Sequence, residues 1–182
     1  PRSELEPCFS LNGRYHAYSQ NTGNLSLKLV IRDDQEQKNA ELVPQGRGGM
    51  RSPAFSPDST LLAYCFAETG PQHIFLVNPQ AKEKRQLTTG RGINNWPTFT
   101  PDGQRIVFSS SRDGDFEIYS INLAGEDLRR LTESPRQDIR PRVSPDGTKI
   151  VFASSRNGDQ EIYMMDMDGS HLRRLTRNPE RD

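Results

Sequence analysis

Residues that could act as catalysts or metal ligands are few in this chain of 182 residues, and they are scattered. His16, His73 and His171 fall at non-equivalent places, so they build no shared set of ligands. Asp166 and Asp168 resemble the start of a calcium loop, but the later ligands and the closing glutamate are absent. No serine lies in a G-x-S-x-G motif. The sequence therefore predicts no metal and no cofactor, and it favours a non-enzymatic protein unless another domain supplies catalysis.

Charge and apolar patterning exclude two classes of partner. Lysine plus arginine and aspartate plus glutamate both number 24, so the formal net charge is zero and neither nucleic acid nor an anionic membrane is favoured. No apolar run approaches the roughly 18 residues that cross a bilayer, so we expect no membrane insertion. The two cysteines, Cys8 and Cys65, are expected as packed free thiols rather than as a disulfide. Composition leaves the compartment open.

The elements that position any functional residue come from an internal repeat of about 44 residues. A serine or threonine opens a turn in each copy, and a proline precedes that turn. The hydroxyl residues are Ser10, Ser56, Thr100 and Ser144, and the prolines are Pro7, Pro53, Pro97 and Pro141. The chain therefore holds four copies of one unit, and the first is the most divergent.

The last copy shows the unit most clearly, because each of its turns has a chemical reason. In the segment 144–147, SPDG, proline suits the second position of a type I turn and glycine takes the position with positive φ. Asn157-Gly158 predicts a two-residue type I′ hairpin, in which both residues have positive φ. Asp168-Gly169 predicts the third turn. Each copy is thus expected to form four short antiparallel strands.

A four-stranded sheet with apolar strands such as KIVFASS needs neighbours on both faces. Near-copies of one meander satisfy this need by packing around an axis, whereas a β-sandwich would require crossovers between unlike segments. We therefore predict an all-β protein, a β-propeller of four four-stranded antiparallel blades within residues 1–182. The predicted blades span about 4–43, 50–88, 94–132 and 138–176.

The strings SPDG, SSR-x-G-D, EIY and LRRLT resemble the propeller repeats of the TolB family. That resemblance implies a propeller that binds protein or peptide partners, and it implies a periplasmic or otherwise extracytoplasmic location, with the cytoplasm still open. Similar repeats occur in prolyl-oligopeptidase-like hydrolases and in oligogalacturonate lyases. The alternative function is therefore a propeller portion of such an enzyme. A carbohydrate-binding propeller would need more aromatic platforms than one tryptophan.

Closure of the ring has three solutions, because propellers of this family have more blades than four. The chain forms a compact four-bladed ring, or two chains pair into an eight-bladed ring, or the chain is part of a larger propeller. An open arc would expose two apolar faces. We therefore expect a homodimer or another form of closure.

The connectors that lead into each first strand differ most among the copies, and in propellers such loops open on one rim of the axial channel. Variable polar loops on a rigid scaffold are the usual place for recognition. Their residues are Arg47, Met50, Arg51, Arg91, Asn94, Asn95, Trp96, Gln137, Asp138, Arg140 and, on the following strand, Arg142. We predict partner binding by Arg51, Asn94, Asn95, Trp96, Asp138, Arg140 and Arg142.

Arginine suits a carboxylate or an acidic peptide in this place, since a guanidinium can donate two parallel hydrogen bonds to it. Trp96 is either an exposed anchor for the partner or a wedge between blades. Other arginines recur outside the connectors, namely Arg112, Arg129, Arg130, Arg156, Arg173 and Arg174. Acidic residues lie near them in sequence, so we expect these arginines to form solvated ion pairs on outer strands.

Overall fold

The structure, a computed structural model, describes residues 4–22, 26–44, 48–67 and 70–177. Within these residues, sixteen strands form four antiparallel sheets, each built from four consecutive strands. The predicted all-β propeller architecture is therefore confirmed. No helix in the described ranges is long and apolar enough to cross a membrane.

Each sheet is one blade, and its first strand is the inner strand. The strands in chain order are β1 (Glu4–Phe9), β2 (Tyr15–Asn21), β3 (Leu27–Asp33), β4 (Lys38–Leu42), β5 (Arg51–Phe55), β6 (Leu62–Phe66), β7 (His73–Val77), β8 (Lys84–Gln86), β9 (Asn94–Phe99), β10 (Arg105–Ser110), β11 (Glu117–Asn122), β12 (Arg129–Arg130), β13 (Asp138–Val143), β14 (Lys149–Ser154), β15 (Glu161–Asp166) and β16 (Arg173–Arg174).

The first turn of each blade is closed by a hydroxyl group, as the SPDG pattern predicts. In the fourth blade, Ser144 Oγ donates to Asp146 Oδ1 at 2.5 Å and accepts the Lys149 N–H at 2.9 Å. Gly147 has a φ of 70° and donates its N–H to the Ser144 carbonyl at 2.9 Å. The other three blades make the same pair of hydroxyl bonds. This turn therefore depends on local residues alone.

The second turn differs from the predicted two-residue type I′ hairpin. Gly158 has a φ of 108°, but Asn157 is not among the residues with positive φ. The Gly158 N–H donates to the Ser155 carbonyl at 2.9 Å, and the ladder resumes only at Glu161. The type I′ prediction is therefore wrong. The longer loop needs a single left-handed residue, and it lets Asn157 donate back to the Tyr163 hydroxyl at 2.6 Å.

A third repeated feature is a set of hydrogen bonds that connects the outer strand of a blade to the strand before it. The N–H of Ile118 donates to Thr132 Oγ1 at 2.9 Å, and Thr132 Oγ1 donates to Glu117 at 2.6 Å. Arg130 also binds Glu117, at 3.1 Å. The equivalent residues of the fourth blade repeat this set of bonds. The recurring EIY and LRRLT strings are therefore explained by blade structure.

Only some of the recurring arginines form the predicted solvated ion pairs. Arg129 is exposed and pairs with Asp127, as predicted. By contrast, Arg130 pairs with Glu117, whose side chain is 2% exposed. Arg112 and Arg156 turn inward and are partly buried. For Arg112 and Arg156 the prediction is wrong, because they lie over aromatic rings and bond to Asn94 and Asp138 of the connectors.

Successive blades share apolar cores, one core for each neighbouring pair. The core between the second and third blades contains Cys65, Ile74, Phe99 and Ile106. Both cysteines are free thiols, as predicted. Among the described strands, no comparable packing joins the first blade to the fourth. The four blades thus form an arc, and closure by a second copy remains a prediction.

Candidate functional site

All four inner strands contain a β-bulge at the same place. The register of pairing shifts between Leu5 and Cys8 in the first blade, and the other three inner strands shift at the equivalent point. The residue at the bulge has a left-handed backbone and precedes a proline. These bulge residues are Glu6 (φ 54°), Ser52 (φ 52°), Trp96 (φ 51°) and Arg140 (φ 57°). Proline cannot donate to the ladder, so the interruption falls there.

A left-handed conformation in a residue other than glycine costs on the order of 1 kcal/mol or more, and such strain clusters at functional sites. Here it recurs at four equivalent positions that converge on one space. This space, the axial cavity, has a volume of about 510 Å³. Its lining residues are Glu6, Pro7, Cys8, Phe9, Ser52, Pro53, Ala54, Phe55, Trp96, Pro97, Thr98, Arg140 and Arg142. The inner strands therefore aim their bulge residues into a common cavity.

Bulge residues of neighbouring blades contact one another along the cavity wall. The Ser52 N–H donates to the Glu6 carboxylate at 2.7 Å, and the Ser52 hydroxyl donates to it at 3.3 Å. The Arg140 guanidinium carbon lies 5.4 Å from the centroid of the Trp96 ring, a cation–π arrangement. The wall thus carries an acidic end and a basic, aromatic end.

The predicted binding residues differ in their position relative to the axial cavity. Trp96, Arg140 and Arg142 line the axial cavity. Asn95 borders it, since its Oδ1 accepts the Trp96 N–H at 3.1 Å and the Ser52 hydroxyl at 3.4 Å. Arg51 is exposed on β5 but is not among the lining residues. Arg47 lies outside the described residues.

Asn94 and Asp138 are fully buried between blades and do not line the cavity. Asn94 Oδ1 accepts from Ser110 and from Arg112, both at 2.9 Å. Asp138 accepts from Arg156 at 2.7 Å. These side chains therefore hold the connectors in place through hydrogen bonds within the protein, and they do not face the cavity.

Both arginines, Arg112 and Arg156, are partly buried, and each also lies over an aromatic ring. Arg112 is 5.2 Å from the Tyr119 centroid, and Arg156 is 4.8 Å from the Tyr163 centroid. Burial lowers the pKa of the Arg112 guanidinium. These bonds and ring contacts fix the start of β9 and of β13, and hence they fix the bulges that follow.

Trp96 makes the contacts expected of a wedge between blades, whereas its role as an anchor for a partner remains a prediction. Its ring packs against Phe116 of its own blade, with centroids 5.9 Å apart, and it carries Arg140 of the next blade on its face. It is half-buried and lines the cavity. Sequence reasoning missed Glu6 and Ser52 as cavity residues. Their signal was the evenly spaced prolines, because the residue before each proline is the bulge residue.

The charges of the cavity determine what it can bind. Within the described parts of the chain, neither Arg140 nor Arg142 has an acidic partner at salt-bridge distance. Burial raises the pKa of the Cys8 thiol to about 12, so this cysteine is a neutral group in the wall. The cavity can therefore present two guanidinium groups and an indole ring to a carboxylate-bearing ligand.

The histidines remain apart from this cavity and from each other. His16 contacts Asp34 at 2.8 Å, and His171 contacts Asp166 at 3.0 Å. His73 lies at the start of β7, where burial lowers its pKa. In the described ranges, no group of three or more His, Cys, Asp or Glu residues is arranged to hold a metal ion.

The comparison with known families gives one match, to the family described as the TolB beta propeller domain. The match covers residues 2–133 and 34–182. A search of curated protein sequences gives no significant match.

Among solved structures, the chain is similar to putative TolB from Agrobacterium tumefaciens, with a TM-score of 0.81 and 25% identity, over 94% of this chain and 64% of that one. It is similar to TolB from Acinetobacter baumannii, with a TM-score of 0.79 and 22% identity, over 96% of this chain and 43% of that one. The chain therefore spans less than two thirds of either protein.

A third similar structure comes from an analysis of two prolyl endopeptidases, with a TM-score of 0.72 and 13% identity. It is matched over 98% of this chain and 29% of that one. At this level of identity the likeness concerns the fold alone.

Proposed function

The chain belongs to the TolB β-propeller domain family, and on that premise we propose that it is a non-enzymatic module whose axial cavity binds a carboxylate-bearing segment of a protein or peptide. One observation carries the proposal. Arg140 and Arg142 line a cavity of about 510 Å³ without acidic partners among the described residues, and Trp96 holds Arg140 in place. Cavities of several hundred Å³ with a few convergent polar groups are typical of ligand sites.

The geometry favours an extended acidic segment over a compact ligand. The lining comes from four inner strands, and proline and phenylalanine side chains supply apolar surface, so a segment that crosses the cavity would contact several blades. Glu6 would repel acidic groups at one end, while the arginines would attract them at the other. By resemblance to TolB repeats, we also propose an extracytoplasmic location.

The test is binding to an array of synthetic extended peptides that differ in the number of aspartate and glutamate residues. We expect affinity to rise with acidic content and to fall with added salt. Arg142→Ala should weaken the best acidic peptide by about tenfold, since it removes a hydrogen bond to a charged group. Arg129→Ala is the matched control, because Arg129 lies away from the cavity and pairs with Asp127.

Two outcomes would contradict the proposal. One is an array in which acidic and neutral peptides bind equally. The other is an acidic peptide whose affinity is the same for the wild type and Arg142→Ala. Both variants should keep the unfolding midpoint of the wild type, which separates a loss of binding from a loss of fold.

A second candidate function is the propeller portion of a peptidase. The chain shares its fold with a prolyl endopeptidase over 98% of its own length, so the architecture is compatible with this second function. In that case a separate domain would carry the nucleophile, and the axial cavity would admit substrate. A catalytic serine elbow in the same native polypeptide would favour this function over the first, and the mass and sequence of the polypeptide isolated from its source would show it.

A further inference from the structure

The first turn of each blade places an aspartate or an asparagine at the same position. In the second, third and fourth blades this residue is Asp58, Asp102 and Asp146, whereas in the first blade it is Asn12. In all four turns its side-chain oxygen accepts a bond from a serine or threonine hydroxyl and a bond from the backbone N–H two residues later. The turn is therefore suited to an aspartate, and in the first blade it holds the corresponding amide.

The residue after Asn12 is Gly13, and a glycine in this place leaves the asparagine amide open to attack by the backbone. Glycine has no Cβ to hinder the approach of its own nitrogen to the neighbouring side chain. Asn12 is exposed, so water reaches the amide. The equivalent residues Asp58, Asp102 and Asp146 are exposed as well, although a blade precedes each of theirs. The exposure of Asn12 is therefore a property of the turn itself.

Two hydrogen-bond donors lie against the side-chain oxygen of Asn12. The Ser10 hydroxyl is 2.8 Å from Oδ1, and the Arg14 N–H donates to it at 3.0 Å. Ser10 is buried, and its hydroxyl also accepts the Tyr15 N–H at 2.8 Å, so this donor is held in place. Fixed donors on a carbonyl oxygen stabilise the negative charge that develops when a nucleophile adds to the carbon. The bond from Arg14 also spans Gly13, so the amide folds over the Gly13 nitrogen.

A second asparagine-glycine pair, Asn157-Gly158, provides a comparison within the chain. Asn157 is exposed like Asn12, but its amide nitrogen donates to the Tyr163 hydroxyl at 2.6 Å. In the described part of the chain, no donor binds the Asn157 side-chain oxygen. The glycine N–H closes the turn in both pairs, at 3.0 Å for Gly13 and 2.9 Å for Gly158. The donors on the amide oxygen are thus what distinguishes the two sites.

We propose that Asn12 is a site of spontaneous deamidation, which converts it into the aspartate that the other three blades carry. The Gly13 nitrogen bonds to Cγ of Asn12, the bond from Cγ to Nδ2 breaks, and the Gly13 amide proton leaves with Nδ2 as ammonia. Water then adds to Cγ of the cyclic imide, the bond from Cγ to the Gly13 nitrogen breaks, and that nitrogen regains a proton. Water is the co-reactant, and the products are a carboxylate and ammonium.

The turn accepts the product, because the same two bonds hold an aspartate in the other blades. In the fourth blade, bonds from the Ser144 hydroxyl and from Thr148 favour the charged form and lower the pKa of Asp146 to about 2. Donors that polarise Cγ also direct water to Cγ, and addition there gives aspartate rather than isoaspartate. Conversion adds a negative charge to a chain of zero formal net charge, and it gives all four first turns a carboxylate. Asn12 does not line the axial cavity, so this inference is independent of the ligand proposed there.

The test is peptide mapping by mass spectrometry while the purified chain is incubated at mildly alkaline pH, so that both asparagine-glycine pairs are read from one sample. We expect Asn12 to convert about tenfold faster than Asn157 in the folded chain, with aspartate as its main product. In guanidinium chloride the turn is lost, and the two rates should become similar. The proposal is wrong if the folded chain converts Asn12 no faster than Asn157, if unfolding leaves the ratio of rates unchanged, or if isoaspartate is the main product at position 12.

Two variants of Ser10 separate the effect of the donor from that of the fold. Ser10→Ala removes the hydroxyl and should slow the conversion of Asn12 by about tenfold relative to Asn157 of the same molecules. Ser10→Thr keeps a donor, as Thr100 does in the third blade, and should retain the wild-type rate. Faster conversion of Asn12 in Ser10→Ala would show that mobility of the turn controls the reaction, which contradicts the proposal. If Ser10→Ala does not fold, the comparison of folded and unfolded wild type still decides.

The product can also be made directly. Asn12→Asp should keep or raise the unfolding midpoint at neutral pH, because its carboxylate accepts the same two bonds with a full charge. A midpoint clearly below that of the wild type would show that the first turn does not accept the product.

Discussion

The third and fourth blades are near-copies in sequence, yet the same residues stand in different environments. Both make the hydroxyl-closed first turn and the threonine bond to the outer strand. Ile118 is fully buried and Ile162 is 40% exposed. Local residues thus determine the strands and turns, whereas burial depends on whether another blade follows. The two blades therefore form a matched pair in which one substitution can be made twice.

The largest expected difference comes from the paired isoleucines. Ile118→Ala should cost about 2–5 kcal/mol of unfolding free energy, because it leaves a cavity between two blades. Ile162→Ala should cost about 1 kcal/mol or less when measured on the monomer, since much of that side chain already contacts water. Urea unfolding at low protein concentration measures both values. Equal losses would show that the fourth blade is covered in the monomer.

The paired threonines should give a smaller difference. Thr132→Val removes the acceptor of the buried Ile118 N–H and a donor to Glu117, and it should cost about 1–3 kcal/mol. Thr176→Val removes the same bonds at an exposed position, where water replaces them, and should cost under about 1 kcal/mol. The same urea experiment checks the pair, and a larger loss at Thr176 would contradict the comparison.

The features that sequence predicted well are those that depend on neighbours along the chain. The first turn needs only Ser144, Asp146 and Gly147, which lie within four residues, so the motif determines the geometry. The four-blade architecture follows from repetition of such motifs. The second turn was misjudged because Asn157-Gly158 also fits a longer loop, and the inward bonds of Arg156 and Asn157 select that loop.

The binding residues were harder to predict, because their roles depend on contacts between blades. Asp138 and Arg140 are two residues apart, yet one is buried under the connector and the other lines the cavity. The bulge between them turns the chain. Glu6 is marked in the sequence only by the proline that follows it, and the contact of this bulge residue with the cavity appears only in the packed structure. These roles can be identified only from the packing of the blades against one another.

Asn94 and Asp138 occupy equivalent positions, and exchanging their side-chain types should change the free energy of unfolding by about 1 kcal/mol, in opposite directions. Asn94 donates its Nδ2 to the Gln72 carbonyl at 2.8 Å, whereas Asp138 Oδ1 is buried without a hydrogen-bond partner in the described structure. The backbone N–H of Asp138 donates to the equivalent carbonyl, that of Phe116, at 2.7 Å. An amide at position 138 would therefore supply the missing donor.

Asp138→Asn should raise the unfolding free energy, and Asn94→Asp should lower it. The Arg112–Asn94 bond shows that an amide oxygen is a sufficient acceptor for the arginine. If instead Asp138→Asn is the destabilising change, the charge of the Asp138–Arg156 pair matters more than the unpaired oxygen. Thermal and urea unfolding of both variants would distinguish these cases.

The smallest effect concerns the pH dependence of the first turns. In the fourth blade, the Ser144 hydroxyl and then the Thr148 N–H and hydroxyl lower the pKa of Asp146 to about 2. A folded-state pKa below the unfolded one gives stability that is present above about pH 4 and lost as pH falls toward 2. Asp146→Asn keeps the acceptor oxygen, as Asn12 does in the first blade, but cannot titrate. The variant should therefore lose less stability than the wild type between these pH values, and Asp102→Asn should act in the same direction because the pKa of Asp102 is also lowered. Identical pH profiles of the urea midpoint for Asp146→Asn and the wild type would show that this turn carboxylate does not contribute to acid unfolding.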